Sequence, residues 1–354
     1  MMMRDFIFNQ IKTAMKFQND DGSFPPGCNG PYGDIETPIR NTCHYIYAMS
    51  KLVIWGYESK LLVPHINSAV TFILNQDNVS EIGSFVCRVG KNKNIYNGVI
   101  GQAWVLEALY IASIALKDER LKKFCTQFYN SFTFEKKISY WKIKDQFGNT
   151  QKFDMTFNHQ LWFAAIGSTL HMDSKIISFM NQIDKTVQIY EDGVIKHMSC
   201  YRGIGMVNFK NIIDSISIFR YFAKALLSSS KMRSKSVGYH SFNLYALAIL
   251  YKVIPDNVFW ESKKFKKILE ITLDETYLRA LNKSEYSWFY NVPGYELAYV
   301  YETFGINSNK IEDTIKKQIN ITINNTNKNS IDWLTLDARV YELTRLENNY
   351  SLQI

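Results

Sequence analysis

The 354-residue sequence has few cysteines, which cross-link small folds, and few prolines and glycines, which are common in linkers between domains. Its five cysteines are an odd number without any Cys-x-x-Cys pair, so neither a disulfide framework nor a structural zinc site is indicated. Only seven prolines and 17 glycines occur, and no Pro/Gly/Ser-rich linker divides the chain. Although domains usually run about 100–200 residues, we predict a single domain over residues 1–354. The cysteine pattern fits a reducing cytoplasm.

Long apolar runs are also missing. No segment reaches the roughly 18 uncharged apolar residues expected of a membrane-spanning helix. The N-terminus carries Arg4, Asp5 and Lys12 within an amphipathic pattern, and it lacks the apolar run of a signal peptide. These absences predict a soluble, cytoplasmic protein.

Positive charge is in excess but is not concentrated. The formal net charge is +8, and it comes largely from lysines spread over solvent-facing stretches such as 263–267. A nucleic-acid-binding protein gathers its charge into a stripe or a known motif, and the sequence has neither a zinc finger nor an RNA-binding signature. We therefore predict no nucleic-acid partner. The charge can still attract an anionic substrate or a membrane surface.

Apolar residues recur at helical spacing through almost the whole chain. Strand-like alternation is scarce, with short hairpins predicted only around Val86, around Ile143 and over 189–198. The predicted helices cover 5–17, 38–55, 65–75, 98–116, 119–132, 158–171, 173–188, 210–228, 239–253, 262–272, 293–304, 309–320 and 333–347.

One class of helix start recurs, mostly about 40–60 residues apart, which is the length of a helical hairpin with one long loop. Each such helix opens with polar residues and then turns apolar and small, whereas the helices between them are amphipathic. A helix that is covered on all sides has to be apolar all round, and one that meets water on one face does not. The pattern predicts an all-α fold, an (α/α)6-type toroid with six or seven inner helices, rather than an open solenoid with polar caps. The polar starts then converge in a mouth at one end of the ring.

Four ionisable residues at these starts are the candidate catalytic groups. His159 and His240 occupy matching places in the first turns of two predicted inner helices, and a converging pair serves as general base and general acid. Glu296 and Asp337 occupy the same kind of position, and two carboxylates across a mouth are the equipment for cleaving a glycosidic bond. Each also has a structural interpretation, as a helix cap or an ion-pair partner.

Other residues at these starts are candidate substrate-binding groups. Arg40, Arg202 and Arg339 suit a carboxylate or phosphate, because a guanidinium binds such groups bidentately. Arg202 lies in the segment His197-Met-Ser-Cys-Tyr-Arg-Gly-Ile-Gly205. The remaining candidates are aromatic or uncharged polar residues that suit sugar rings and hydroxyls: His44, Gln102, Trp104, Asn158, Trp162, Tyr239, Asn243 and Tyr290.

Motifs for other chemistries are missing. The sequence has no HExxH, P-loop, serine nucleophile elbow or calcium loop. We therefore predict no metal and no cofactor.

The helix openings over 97–104, 157–162 and 239–245 resemble those of toroid proteins encoded among surface-polysaccharide and glycan-assembly genes. The stretches 291–296 and 336–339 fit as well, so that the resemblance spans roughly residues 90 to 345. The wider superfamily includes N-acylglucosamine 2-epimerases, which use a histidine pair in the mouth, and unsaturated glucuronyl hydrolases, which use aspartates. For the epimerases the matching positions are His159 and His240; for the hydrolases they are Asp337 and Asp154. The resemblance implies an acidic or acylated sugar substrate and peripheral association with a membrane glycan-assembly complex.

A weaker resemblance links the turn over 18–24 to terpenoid cyclases and protein prenyltransferases, which are also toroids. The acidic Asp-x-Asp-Asp run of the cyclases and a recognisable zinc set of the prenyltransferases are both absent. The sequence leaves epimerisation and hydrolysis open, and it keeps an isoprenoid-handling toroid and a non-catalytic glycan-binding scaffold as alternatives.

Overall fold

The protein is described here by a computed structural model, which covers residues 1–80, 83–90, 94–144, 151–154, 156–197, 229–306, 308–325 and 332–352. In chain order its helices are α1 (Met3–Ala14), α2 (Ile39–Ile54), α3 (Ser59–Ile73), α4 (Gly98–Leu116), α5 (Glu119–Asn130), α6 (Phe157–Leu170), α7 (Ser174–Thr186), α8 (Ser229–Val253), α9 (Lys263–Glu270), α10 (Glu275–Lys283), α11 (Pro293–Thr303), α12 (Ser308–Asn325) and α13 (Trp333–Ala338). Helix α13 continues as a 3-10 helix over Arg339–Arg345.

Among the described residues, six helical segments form a closed inner ring. Helices α2, α4, α6, α8 and α11 pack each against the next, and the segment formed by α13 and its 3-10 extension packs against both α11 and α2. The predicted toroid is thereby confirmed, with six inner helices in the described part of the chain.

An outer layer covers this ring. Helices α3, α5, α7, α10 and α12 each pack against an inner helix, while α1 packs against the 3-10 segment near the other end of the chain. The terminal segments meet there, since the Met3 N–H donates to the Tyr350 carbonyl over 2.9 Å. The sixth hairpin is therefore assembled from the two ends of the chain.

The two layers differ in composition as the sequence predicts. Inner helix α4 is buried over most of its circumference, whereas outer helix α5 buries only Leu121, Cys125, Phe128 and Tyr129, which recur at helical spacing on one face. Helix α4 is also the one described helix that is long and apolar enough to cross a membrane, and 72% of its most apolar window is buried inside the fold. Its apolarity follows from its place in the inner ring.

Buried glutamines attach the loops to the starts of two inner helices. The Gln102 side chain donates to the carbonyls of Phe85 and Tyr96 and accepts from the Phe85 N–H. Gln160 does the same with the carbonyls of Trp141 and Asp154 and the N–H of Trp141. These amides give the long loops before α4 and α6 a fixed course toward the mouth.

Several element boundaries differ from the sequence-based prediction. Helix α8 begins at Ser229, ten residues earlier than predicted, because its first turns carry polar residues that give no apolar periodicity. Helix α10 was not predicted; Asp274 caps it by accepting from the N–H groups of Thr276 and Tyr277. The predicted helix 210–228 lies outside the described residues.

Strands are short in the described part of the chain. Phe134–Glu135, Tyr140–Lys144 and Gln151–Phe153 form a three-stranded antiparallel sheet before α6, at the hairpin predicted around Ile143. Isolated bridges join Val79 to Phe85 and Ile189 to Ile195. All of these lie in loops that lead into inner helices.

Candidate active site in the toroid mouth

A cavity of about 250 Å³ lies where the inner helices begin. Helices α2, α4 and α6 contribute residues at or near their starts, and Arg339 comes from the last inner segment. Helix α8 contributes from its interior and α11 through the turn before it, so that the predicted convergence occurs for most of the helix starts. The lining residues are Asn29, Tyr32, Asp34, Arg40, Arg88, Asn97, Ile100, Trp104, Thr156, Asn158, His159, His197, Lys235, Tyr239, Phe242, Tyr290, Asn291 and Arg339.

His159 lies in the first turn of α6 and is oriented by a buried carboxylate. Its Nδ1 lies 2.7 Å from Oδ2 of Asp154, which also accepts the Val99 N–H. Burial alone would raise the pKa of Asp154, but His159 and the N–H groups of Thr156 and Val99 hold it below its usual value. An ionised carboxylate only accepts hydrogen bonds, so the His159 Nδ1 donates to Asp154.

Gly98 leaves room for this pair. Its φ is +60°, and a Cβ there would lie only 1.9 Å from Asp154 Oδ2 and 2.6 Å from His159 Nδ1. The start of α4 therefore packs directly against the Asp154–His159 pair, and only glycine fits there.

The second histidine of the cavity is His197, which the sequence analysis did not single out. The backbone N–H of His197 donates to Ser236 Oγ over 2.9 Å, and the imidazole ring packs on Tyr239 with the ring centroids 4.5 Å apart. Burial, then the nearby charges of Lys235 and His159, hold the pKa of His197 well below its usual value. It is therefore neutral near pH 7. No sequence signal marked it, because it lies on a loop and not at a helix start.

His240 lies outside the cavity, which corrects the predicted convergence of His159 and His240. It is fully buried, and its Nδ1 accepts the Ile195 N–H over 3.1 Å while its Nε2 donates to the Ile268 carbonyl over 3.0 Å. Burial lowers the pKa of His240 to about 4. With both ring nitrogens bonded to backbone, this histidine connects the loop at Ile195 to helix α9 and has no nitrogen left for a substrate.

Arg40 and Arg339 line the cavity, as the sequence analysis predicted for substrate-binding groups. Arg40 pairs with Glu36 over 3.3 Å, and its guanidinium lies 4.7 Å from the ring centre of Trp104. Arg339 pairs with Glu296 over 2.7 Å and, more closely, with Glu342. The lining also includes Arg88 and Lys235, and Asp34 is its only acidic residue among those described. On the wall itself the cations outnumber the acidic residues, although Arg40, Arg88 and Arg339 are each paired with a carboxylate.

Glu296 lies beneath the cavity and not on its wall. It is fully buried, accepts a 2.5 Å hydrogen bond from Ser241 Oγ and shares Arg339 with Glu342. Two carboxylates beside one guanidinium leave an excess negative charge out of water. Burial accordingly raises the pKa of Glu296 to about 7 although Arg339 lowers it, and the pKa of Glu342 is also raised.

Glu296→Gln is expected to flatten the dependence of stability on pH. A carboxyl whose folded pKa of about 7 exceeds its usual 4.5 retains a proton that the unfolded chain releases. The free energy of unfolding therefore falls as pH rises through that window. In urea unfolding between pH 5 and pH 8, the fall should be smaller in the variant by on the order of 2 kcal/mol. Parallel curves for the two proteins would show that Glu296 is already ionised at pH 5.

Asp337 faces a different cavity, so it too does not join His159. That second cavity lies between α1, α11, α12 and the last inner segment, and its walls include Phe6, Tyr295 and Ile323. Asp337 accepts a 2.8 Å hydrogen bond from Tyr45 OH, and burial raises its pKa. Its position two residues before Arg339 turns it to another face of the same segment. Of the four predicted catalytic groups, the mouth thus contains His159 alone.

The other predicted binding residues divide between the wall and the layer behind it. Trp104, Asn158, Tyr239 and Tyr290 line the cavity, and Asn158 Oδ1 is buried without a hydrogen-bond partner among the described residues. Arg202 lies outside the described residues. Those behind the wall are His44, stacked on Tyr341; Gln102, bonded to loop backbone; Trp162, stacked on Phe242; and Asn243, which is fully buried.

A metal ion has no cluster of ligands in the part of the chain that the structure describes. No group of three or more His, Cys, Asp or Glu residues is placed to hold one there. The described mouth offers the chemistry of two imidazoles, a set of cations, hydroxyl groups and the Asp34 carboxylate.

The closed ring of paired helices with a polar mouth defines an (α/α)6 toroid. Cellobiose 2-epimerase from Bacillus thermoamylovorans has this fold: the TM-score is 0.58 at 12% sequence identity, and the match covers 91% of this chain and 87% of the other. At that identity the likeness concerns the fold. No family model matches the chain.

A closer relative is found by sequence. The chain is 32% identical over 367 aligned positions to archaeal glycosylation protein Q of Haloferax volcanii, and the match covers 98% of each protein. The chain therefore belongs to the family of archaeal glycosylation protein Q. The predicted relationship to toroid proteins of glycan assembly is confirmed.

Proposed function

We propose that this protein is an epimerase or isomerase that works by acid/base chemistry on an acidic or acylated sugar during glycan assembly. The observation that carries the proposal is the pair of histidines, His159 and His197, on the wall of one cavity, with Asp154 behind His159. The relative's role in glycosylation supports a glycan substrate, and the structural neighbour, an epimerase of the same fold, supports this class of reaction.

The reaction requires two proton-transfer groups. One imidazole removes the proton from a carbon next to a carbonyl or carboxyl group, and the electron pair moves onto that oxygen as an enolate. The other imidazole returns a proton to the opposite face of the same carbon, which inverts its configuration without any net loss or gain of atoms. His197, held neutral by burial, suits the base, and His159, with Asp154 to stabilise its charged form, suits either role.

The cations of the wall suit an acidic substrate. Arg40 and Arg339 can hold a carboxylate, and the charge that develops on the enolate oxygen is stabilised by donors that are already in place. A cavity of about 250 Å³ suits one sugar unit.

Hydrolysis is less well supported. Glycosidases of the usual kind need two carboxyl groups about 5–10 Å apart on either side of the bond. In the described mouth, Asp34 is the only carboxylate on the wall, and Asp154 faces His159. The polar lining likewise disfavours the isoprenoid alternative. The absence of a cofactor, the cytoplasmic location and peripheral association with a membrane complex stay predictions.

Solvent exchange tests the proposal. The purified protein is incubated in D₂O with uronic acids and N-acylated amino sugars, free and nucleotide-linked, and each reaction is followed by NMR. We expect one carbon-bound proton to be replaced by deuterium while a second epimer accumulates. Release of a free sugar from a glycoside would instead support hydrolysis. Ligand binding without exchange or cleavage would support the scaffold alternative.

A further inference from the structure

Five polar side chains of the mouth form a continuous hydrogen-bond chain. Tyr32 OH lies 3.0 Å from Tyr239 OH, Tyr239 OH lies 3.1 Å from Tyr290 OH, and Tyr290 OH lies 2.8 Å from Asn29 Oδ1. Asn29 Nδ2 in turn donates to Asp34 Oδ2 over 2.9 Å. All five residues line the cavity.

The direction of every proton in this chain can be derived from its carboxylate end. Asp34 accepts from the Asn29 amide nitrogen, so that the amide oxygen is the atom that faces Tyr290. That oxygen has no proton to give, and Tyr290 therefore donates to it. A phenol has one proton; once Tyr290 has used its own, Tyr239 must donate to Tyr290 and Tyr32 to Tyr239.

The loop that carries Asn29 and Tyr32 is fixed by its backbone conformation and by a hydrogen bond to Asp332. Asn29 and Gly30 adopt positive φ angles of 57° and 52°, and the Gly30 N–H donates to Asp332 Oδ2 over 2.8 Å. A Cβ on Gly30 would lie 2.2 Å from the Tyr290 ring. The hydroxyls are thus set by the backbone before any ligand arrives.

We propose that Tyr32, Tyr239 and Tyr290 form an acceptor-only wall that selects a sugar by hydroxyl groups that donate to it. This inference rests on the proposed function, because it assigns the wall to the same sugar. All three phenol protons are committed within the chain, and only the remaining lone pairs of the oxygens can face a ligand. A hydroxyl that donates to Tyr32, the head of the chain, polarises every bond after it in the same direction.

The wall complements the rest of the site. Arg40, Arg339 and Lys235 only donate hydrogen bonds, and they suit the carboxylate of a sugar acid. Tyr239 and Tyr32 remain protonated at neutral pH, since burial raises their pKa above the usual value. Specificity then resides in the phenols, and proton transfer is left to the histidines.

Fluorinated sugars provide the ligand arm of the test. A C–F group has the size of a hydroxyl but cannot donate. We expect the wild-type protein to bind D-glucuronate or D-galacturonate more tightly than its monodeoxyfluoro form at the position facing the wall, by about 3- to 10-fold in calorimetry. Tyr239→Phe frees the Tyr32 proton to point at the ligand, and the difference should shrink below about 2-fold. Tyr251→Phe, at the far end of the same helix α8, should keep the wild-type ratio.

Neutron diffraction of deuterated crystals provides an arm that needs no ligand. The deuteron of Tyr32 should lie on the line to Tyr239, that of Tyr239 toward Tyr290, and that of Tyr290 toward Asn29. Any deuteron pointing into the cavity overturns the inference, as does an unchanged fluorine effect in Tyr239→Phe. If no sugar acid binds the wild-type protein while the deuterons lie as stated, the acceptor wall stands and the sugar-acid function fails.

Discussion

Alanine in place of His197 is expected to slow the interconversion of two sugar epimers strongly while one epimer still exchanges its carbon-bound proton with solvent. In a reaction with two bases, each imidazole serves one face of the carbon. Without His197, the remaining His159 still removes and returns a proton on its own face. Epimerisation should fall roughly 100- to 10,000-fold. His159→Ala should give a loss of the same order, with exchange retained for the opposite epimer.

These results are measured by NMR in D₂O, starting from each purified epimer, alongside thermal unfolding. His171 provides the matched control: it ends the same helix α6 at the end away from the mouth, and His171→Asn should keep the wild-type rate. His240→Asn should lower the melting temperature and keep the specific activity of the folded fraction, because it loses bonds to backbone. Wild-type epimerisation by His197→Ala would remove this histidine from the mechanism.

Of the substitutions considered for this protein, Arg339→Leu should cause the largest fall in the free energy of unfolding. Arg339 is the cation shared by the buried Glu296 and Glu342. Removing one partner of a buried ion pair costs about 3–5 kcal/mol, because the other charge is left without compensation. The loss should be greater at pH 8 than at pH 5, since the raised pKa of Glu296 lets it accept a proton in acid. Urea unfolding at the two pH values measures the difference.

Two further variants show whether the loss comes from the charge of Arg339 or from its packing. Arg120→Leu removes an arginine whose pair with Asp118 is at the surface, and it should change the free energy of unfolding by less than about 0.5 kcal/mol. In the Arg339→Leu background, Glu296→Gln should restore part of the stability at pH 8. An equal loss at both pH values, with no recovery in the double variant, would show that packing of the guanidinium and not its charge is responsible. Sugar-acid binding by the folded Arg339→Leu protein should also weaken.

The sequence predicted the architecture well because an inner helix leaves a clear signal. Inner helices have to be apolar all round, as in α4, and outer ones amphipathic, as in α5, so that the two classes alternate visibly along the chain. The boundaries of α4 agree with the prediction at both ends. The start of α8 differs from the prediction, because Ser229 and the polar residues after it form a helix without burying an apolar face. The spacing of helix starts also predicted that their side chains would meet at one end of the ring.

Which of those side chains reach the cavity was decided by the tertiary structure alone. His159 and His240 occupy matching places in the predicted pattern, but His159 lies in the first turn of α6, whereas His240 lies eleven residues after the start of α8. A carboxylate orients the first toward the mouth, and two backbone groups occupy the second. His197 reaches the cavity from a loop whose course no periodicity encodes. The sequence by itself determined a toroid with a polar mouth, since buried inner helices must be apolar along their length and can carry polar and charged side chains only near their ends. The identity of the second histidine and the direction of the tyrosine hydrogen bonds were decided only by the tertiary structure, because both depend on contacts between residues far apart in the chain.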